Sequence, residues 1–122
     1  APTYEEDSFM FHYWRKNGKY TGWDMWIWEE NGNGAAFQFN GKEDWGVVAA
    51  YPFSMFNDLT ANKLGFLFRR GGDSWAEKDC GGNDIYVDFN EYEKDENGVY
   101  HIYMITYIIS VVHKLKTTHR NL

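Results

Sequence analysis

Residues 22–30 alternate in a way that constrains the whole fold, because side chains in a β-strand point to opposite faces with a period of two. One face of this segment carries Trp23, Met25, Ile27 and Glu29, and the other carries Asp24, Trp26, Trp28 and Glu30. The first set is a core row that ends where Glu29 reaches the surface. The second set places two indoles between two carboxylates, which indicates either an exposed binding platform or a central strand with aromatic packing on both sides.

Short alternating runs continue along the chain and predict an all-β fold. Apolar residues recur with period two in segments separated by Gly, Asn and Asp clusters, for example at residues 9–14, 64–68 and 85–89. We count six to eight such strands and no helical period, which favours an antiparallel β-sandwich. At 122 residues the chain is long enough for one domain with a substantial core.

The C-terminal part of the chain changes character. Residues 99–112 are long for one strand, and from residue 108 the alternation becomes a continuous apolar run. We expect a bulge or a break there, or a piece that covers an exposed sheet edge. The predicted sandwich module spans residues 1–112, and residues 113–122 are interpreted as a polar, basic linker or appended tail. No apolar stretch reaches the length of an ordinary membrane span.

Charge narrows the ligand class. The chain has a formal net charge of −6, and residues 1–112 alone contain 9 basic and 18 acidic residues. A body this acidic disfavours sequence-independent binding to nucleic acid and to polyanionic sugars. A carbohydrate ligand should therefore be neutral. The aromatic content of 20% exceeds the needs of a core of this size and fits a surface for flat, partly apolar ligands.

Candidate catalytic and metal-binding residues do not form convincing patterns. The available carboxylate pairs are Glu29 with Glu30, Asp79 with Asp84, and Asp95 with Glu96. Adjacent acids on a strand face opposite ways, whereas a glycoside hydrolase needs two carboxylates that flank one bond. The four histidines lack metal-ligand spacing, and the single Cys80 cannot form an internal disulfide. We expect no enzyme activity, no metal and no cofactor.

A Gly-rich polar loop at residues 71–84 contains a second group of candidates. Trp75 could stack on the C–H face of a sugar, and Lys78 and Asp84 could hydrogen-bond to its hydroxyls. The alternative is that Trp75 anchors the loop to the core while the two charged residues are solvated. The residues alone favour neither interpretation.

The order of these motifs resembles family 41 carbohydrate-binding modules. The similarity covers residues 9–103 and rests on FHYWR at 11–15, GWDMWIW at 22–28, LGFLFRR at 64–70, WAEKD at 75–79 and DIYVD at 84–88. The resemblance implies an immunoglobulin-like antiparallel β-sandwich that targets a secreted or cell-surface bacterial pullulanase or amylase to α-1,4/α-1,6-glucans. Its ligands would be pullulan, amylopectin, glycogen and maltooligosaccharides, and its partner the parent catalytic domain.

The resemblance also implies a set of ligand-binding residues. Trp26 and Trp28 match a stacking pair, Trp75 a third ring, and Lys78 and Asp84 groups that hydrogen-bond to hydroxyls. Because two glycines lengthen the loop after Lys78, Asp79 could take the place of Asp84. The rival interpretation is a structural or protein-docking β-sandwich that binds no sugar.

Overall fold

In the computed structural model, residues 1–30, 32–56, 62–79, 85–106 and 112–116 are described. Within these residues the chain forms ten strands: β1 (Ser8–Arg15), β2 (Trp23–Glu29), β3 (Gly34–Phe37), β4 (Gly41–Lys42), β5 (Val47–Pro52), β6 (Lys63–Arg70), β7 (Glu77–Asp79), β8 (Ile85–Asp88), β9 (Val99–Thr106) and β10 (Val112–Lys116). Short 3₁₀ turns occupy Phe53–Met55, Gly72–Ser74 and Phe89–Glu91. No helix in this described part of the chain has the length and apolar character needed to cross a membrane.

The strands form two sheets, and the all-β sandwich expected from the alternation is confirmed. The first sheet has the order β10-β9-β1-β5-β4, and the second has the order β3-β2-β6-β7 with β8 also paired to β6. The pairings are antiparallel except that between β1 and β9, which is parallel, from Ser8 opposite Val99 to Arg15 opposite Thr106. Sequence alternation does not distinguish the two directions, because both have the same side-chain period.

Aromatic residues from the inner faces of both sheets make the core. Tyr13 of β1 stacks on Phe68 of β6 with ring centroids 3.8 Å apart, and Phe11 meets Phe66 at 4.7 Å. These four side chains are fully buried. The contacts fix β1 of the first sheet against β6 of the second, so the outer face of β6 is held on a rigid layer.

The C-terminal segment is a pair of strands rather than one long strand. β9 ends at Thr106, and β10 returns antiparallel to it, with Val112 opposite Thr106 and Lys116 opposite Ile102. The break expected near residue 108 falls within residues 107–111, which lie outside the described part of the chain. Residues 113–116, predicted from the sequence to belong to a tail, form part of the edge strand β10 of the first sheet. Residues 117–122 are also outside the described part.

A hydrogen-bonded chain of four polar side chains crosses the outer face of the first sheet. His12 Nδ1 lies 2.5 Å from Glu43 Oε1, and His12 Nε2 lies 2.8 Å from His101 Nδ1. The other His101 nitrogen lies 2.8 Å from Asp95 Oδ2. Tyr103 stacks on the His12 imidazole at 4.1 Å and shields it from water. Burial outweighs the opposing effect of Glu43 and lowers the pKa of His12 below its ordinary value.

The His12 pKa predicts a loss of stability in mild acid. Because the pKa of His12 is lower in the folded state than in the unfolded state, the unfolded chain binds a proton first as the pH falls. The stability that neutral His12 contributes is therefore present above the unfolded-state pKa of about 6.5 and is lost as the pH falls towards the folded-state pKa. We expect the free energy of unfolding, measured by urea denaturation, to decrease from pH 7.0 to 5.0.

The variant His12→Gln removes the titrating imidazole, so it should weaken the dependence of the free energy of unfolding on pH between 7.0 and 5.0. Asp95, at the other end of the same chain of side chains, titrates in a different range. Burial raises the pKa of Asp95, but hydrogen bonds from His101, Val99 and Asn97 outweigh burial and lower it. The stability that the Asp95 carboxylate contributes is therefore lost at a more acidic pH than that of His12. Equal slopes for the parent chain and the His12 variant would contradict the assignment.

Candidate functional site

The two rows of β2 separate as the alternation predicts. Trp23, Met25 and Ile27 are buried in the core, which confirms the core row. Trp26 and Trp28 lie on the opposite face and are partly exposed. The indoles are therefore on the outer surface of the second sheet, and the alternative in which both pack inside the core is wrong.

Glycines on the neighbouring strands make room for the two indoles. Gly34 of β3 and Gly65 of β6 are the Cα partners of Trp28 on its two sides. A Cβ atom added to Gly65 would fall within the Trp28 indole, and one added to Gly34 would fall within the Trp26 indole. The rings therefore lie directly against glycine backbone, so that the sheet itself supports the platform.

Trp75 adds a third ring from the loop before β7. Its indole meets Trp26 edge to face, with ring centroids 5.3 Å apart and planes at 67°. Trp75 has φ 49° and ψ 47°, a left-handed conformation that is rare for a bulky residue and costs on the order of 1–3 kcal/mol. Its side chain remains 37% exposed. The loop thus holds an exposed indole next to the strand indoles, on a residue whose backbone torsion angles are left-handed.

A buried ion pair lies beneath this corner. Arg69 Nε donates to Asp24 Oδ1 at 2.8 Å, and Arg69 Nη2 donates to Asp24 Oδ2 at 3.3 Å. The Arg69 guanidinium carbon is 4.8 Å from the Trp26 ring centroid and 4.7 Å from that of Trp75. Both charged residues are less than 5% exposed. The pair brings no net charge to the surface and gives the rings a rigid base.

Tyr86 of β8 completes the aromatic cluster on the other side. Trp28 Nε1 donates to the Tyr86 hydroxyl at 3.2 Å, and the two rings meet at 5.8 Å and 83°. Tyr86 is 45% exposed and stands opposite Gly65 in the β6–β8 pair. We call Trp26, Trp28, Trp75 and Tyr86 the aromatic face.

Sequence reasoning missed two residues of this site. Tyr86 and Arg69 both lie in segments of clear alternation, but their relation to the indoles depends on the pairing of β6 with β2 and β8. The available signal for Arg69 was its place in the same period-two row of β6 as Gly65.

The polar candidates occupy different positions. Lys78 is exposed and is the Cα partner of Arg69, so it stands on the same outer face of the sheet. Asp79 points inward: it is 4% exposed, accepts a hydrogen bond from the Tyr13 hydroxyl and lies 3.7 Å from Arg15 Nη1. Asp79 therefore does not belong to the aromatic face. Asp84 lies outside the described residues.

The chemistry of this face is that of a stacking surface. Asp24 is buried, paired with Arg69, and accepts a hydrogen bond from Gln38 Nε2 at 3.1 Å, so it is unsuited to act as a general acid or base. Across the part of the chain that is described, no group of His, Cys, Asp or Glu has the arrangement of a metal site. The aromatic rings can contact flat apolar surfaces, and Lys78 can donate hydrogen bonds beside them.

Comparison with known proteins identifies the family and the fold. A family model described as the bacterial pullanase-associated domain matches residues 7–102, most of the chain. The fold resembles family 41 carbohydrate-binding modules from streptococcal virulence factors, a structure described for α-glucan recognition, with 16% identity, a TM-score of 0.55 and 93% of this chain covered. The resemblance to family 41 modules noted in the sequence is thus confirmed.

A second solved structure gives the same fold. It is the family 41 module CBMd from Eubacterium rectale Amy13K, with 15% identity and a TM-score of 0.52 over 92% of this chain and 97% of that chain. The streptococcal structure is longer, and the present chain spans about half of it (49%).

The glycine support beneath Trp28 can be tested directly. We expect Gly65→Ala to destabilise the fold by about 1–3 kcal/mol, because the added methyl group collides with the indole and forces it off the sheet. Denaturation followed by near-ultraviolet circular dichroism measures both the stability and the displaced ring. Ala36→Ser, a small change at an exposed position beside Trp26, should have little effect on either. Equal stability for the two variants would contradict the close packing.

Proposed function

We propose, on the premise that the chain belongs to the bacterial pullanase-associated domain family, that it is a non-catalytic module that binds α-glucans. The observation that carries the proposal is the presence of three indoles and one phenol on a single open face. A group of exposed aromatic rings is unfavourable in water, and such a patch typically marks a surface that a ligand covers. A glucose ring presents the matching C–H surface.

The strength of such contacts suits reversible binding to a polymer. If a sugar ring hides about 60 Å² of apolar surface on each indole, each contact contributes about 1.5 kcal/mol at about 25 cal/mol per Å². Three contacts then give about 4.5 kcal/mol, which corresponds to an affinity near millimolar. A few hydrogen bonds from neighbouring polar groups bring the affinity towards micromolar.

Ring geometry favours a curved glucan. Trp26 and Trp28 are two residues apart on one strand, about 7 Å, which is the scale of neighbouring sugar units. The Trp75 plane is tilted by 67° from that of Trp26. A chain that contacts both must bend, as an α-1,4-linked glucan does, whereas a flat ribbon such as cellulose matches coplanar rings.

Polar recognition is assigned to two residues. Lys78 stands on the same face and can donate to sugar hydroxyls. Asp84 is proposed as the carboxylate on the strength of the family resemblance. Pullulan, amylopectin, glycogen and maltooligosaccharides are the proposed ligands. The relative from streptococcal virulence factors, described for α-glucan recognition, supports this class.

The wider role follows from the same family. We propose that the module belongs to a secreted or cell-surface enzyme of the pullulanase or amylase type and brings its catalytic domain to the polymer. The acidic composition supports a neutral polysaccharide rather than nucleic acid as the partner.

Native affinity electrophoresis tests the proposal. We expect pullulan and glycogen in the gel to retard the protein and cellulose derivatives to leave its migration unchanged. Trp28→Ala should weaken binding to maltotetraose about tenfold, the equivalent of one stacking contact of about 1.5 kcal/mol. Fluorescence titration measures this change.

A matched control is available on the other sheet. Trp45 is also partly exposed but packs on Tyr103 at 5.1 Å, far from the aromatic face in the topology. Trp45→Ala should therefore retain normal retardation. Unchanged migration of the parent chain in both α-glucans would overturn the proposal and favour a structural or protein-docking role.

A further inference from the structure

A buried guanidinium fills the corner between two rings of the aromatic face. The Arg69 guanidinium carbon is nearly equidistant from the Trp26 and Trp75 ring centroids, at 4.8 Å and 4.7 Å. The centroids themselves are 5.3 Å apart, so the cation and the two rings form a closed triangle. Arg69 is 2% exposed, which places this contact out of water, where a cation–π interaction is strongest.

Arg69 has little freedom to move from this position. Two of its nitrogens donate to Asp24, whose second oxygen also accepts from Gln38. The remaining nitrogen, Nη1, is buried and has no hydrogen-bond partner among the described residues. The guanidinium instead lies over the rings of Trp26 and Trp75, with which it makes cation–π contacts. Asp24 thus fixes the guanidinium on one side, and the indoles cover it on the other.

The position of the Trp75 ring depends on few contacts. Its left-handed backbone ends the 3₁₀ turn Gly72–Ser74, where the Trp75 N–H donates to the Gly72 carbonyl oxygen, and this local hydrogen bond does not fix the direction of the side chain. The contacts that the structure gives its ring are with Trp26 and Arg69. Without the cation beneath it, a ring on a Gly-rich polar loop would be free to turn away from the sheet.

We infer that Arg69, locked by Asp24, is a positioning residue that holds the Trp75 ring against Trp26 before a ligand arrives. The Trp75 side chain is therefore already ordered in the free protein. Less conformational entropy is lost when a ligand binds, and the affinity is higher for that reason. The positioning itself is a property of the free protein. The gain in sugar affinity rests on the proposed function.

The variants are chosen so that no lone charge is buried. Asp24→Asn combined with Arg69→Met removes both charges and keeps the side-chain volumes, since breaking only one partner of a buried pair leaves an uncompensated ion. A second variant, Arg69→Lys, keeps the charge but cannot form the two-pronged contact with Asp24 while covering both rings. Arg70→Met with Glu77→Gln is the matched control, an ion pair on the same two strands at 2.8 Å that is partly exposed to solvent.

The first readout needs no ligand. Trp26 and Trp75 form the one Trp–Trp contact among the described residues, and two indoles in contact give an exciton couplet in circular dichroism. Trp75→Ala should abolish the couplet and so identify it. We expect the double Asp24/Arg69 variant and Arg69→Lys to lose the couplet while still unfolding cooperatively, and the Arg70/Glu77 control to retain it. A folded Asp24/Arg69 variant or Arg69→Lys that keeps the couplet would overturn the inference.

The second readout is a double-mutant cycle on maltotetraose affinity. Trp75→Ala and the Asp24/Arg69 variant should each weaken binding about tenfold, and their combination should weaken it little further, because Arg69 acts through the Trp75 ring and has no effect once that ring is removed. Losses that multiply to about a hundredfold would show that Arg69 acts independently of Trp75 and would overturn the inference. If the parent chain binds no sugar, the proposed function fails, and the couplet still decides the positioning role.

Discussion

The pairing of β2 with β6 determines both faces of the second sheet. Its register runs from Trp23 opposite Arg70 to Glu29 opposite Leu64. On the inner side this register places Met25 against Phe68 in the core, and on the outer side it places Trp28 against Gly65. A slip by one residue would bring the indoles into the core and expose the apolar row. The core and the aromatic face are therefore specified by the same set of backbone hydrogen bonds.

On the outer face of the second sheet, the large indoles of β2 lie against glycines of the neighbouring strands β3 and β6. The indoles need flat backbone beneath them, which Gly65 and Gly34 provide at the cost of weaker local strand preference. The buried Asp24–Arg69 pair continues the same row and supports the rings at its other end. A surface of exposed aromatic rings is thus built from residues that would individually disfavour a strand or a core. Together, these glycines and the buried ion pair support the rings.

Much of this arrangement could be predicted from sequence, and the remainder depends on contacts distant in the chain. Alternation within β2 assigned Trp23 to the core and Trp26 to the opposite face, because strand periodicity is local, but it left open whether that opposite face is exposed or packed. The same reasoning could not place Asp79 inward or find Arg69, since each depends on the register of β6 with strands that are distant in sequence or interrupted by a loop. The parallel β1–β9 pair and the edge strand β10 were missed for the same reason.

Charge on the chain and charge at the site have separate roles. The body is strongly acidic, yet the two ions beneath the aromatic face cancel each other within the sheet. Because the Asp24–Arg69 pair is out of water, it acts on the rings through geometry and polarisation and contributes little long-range field. The rings can then contact a neutral ligand without attracting ions, and the net negative charge elsewhere keeps polyanions away. The proposed selectivity for a neutral, curved polymer therefore rests on an uncharged stacking surface with a fixed angle between its rings.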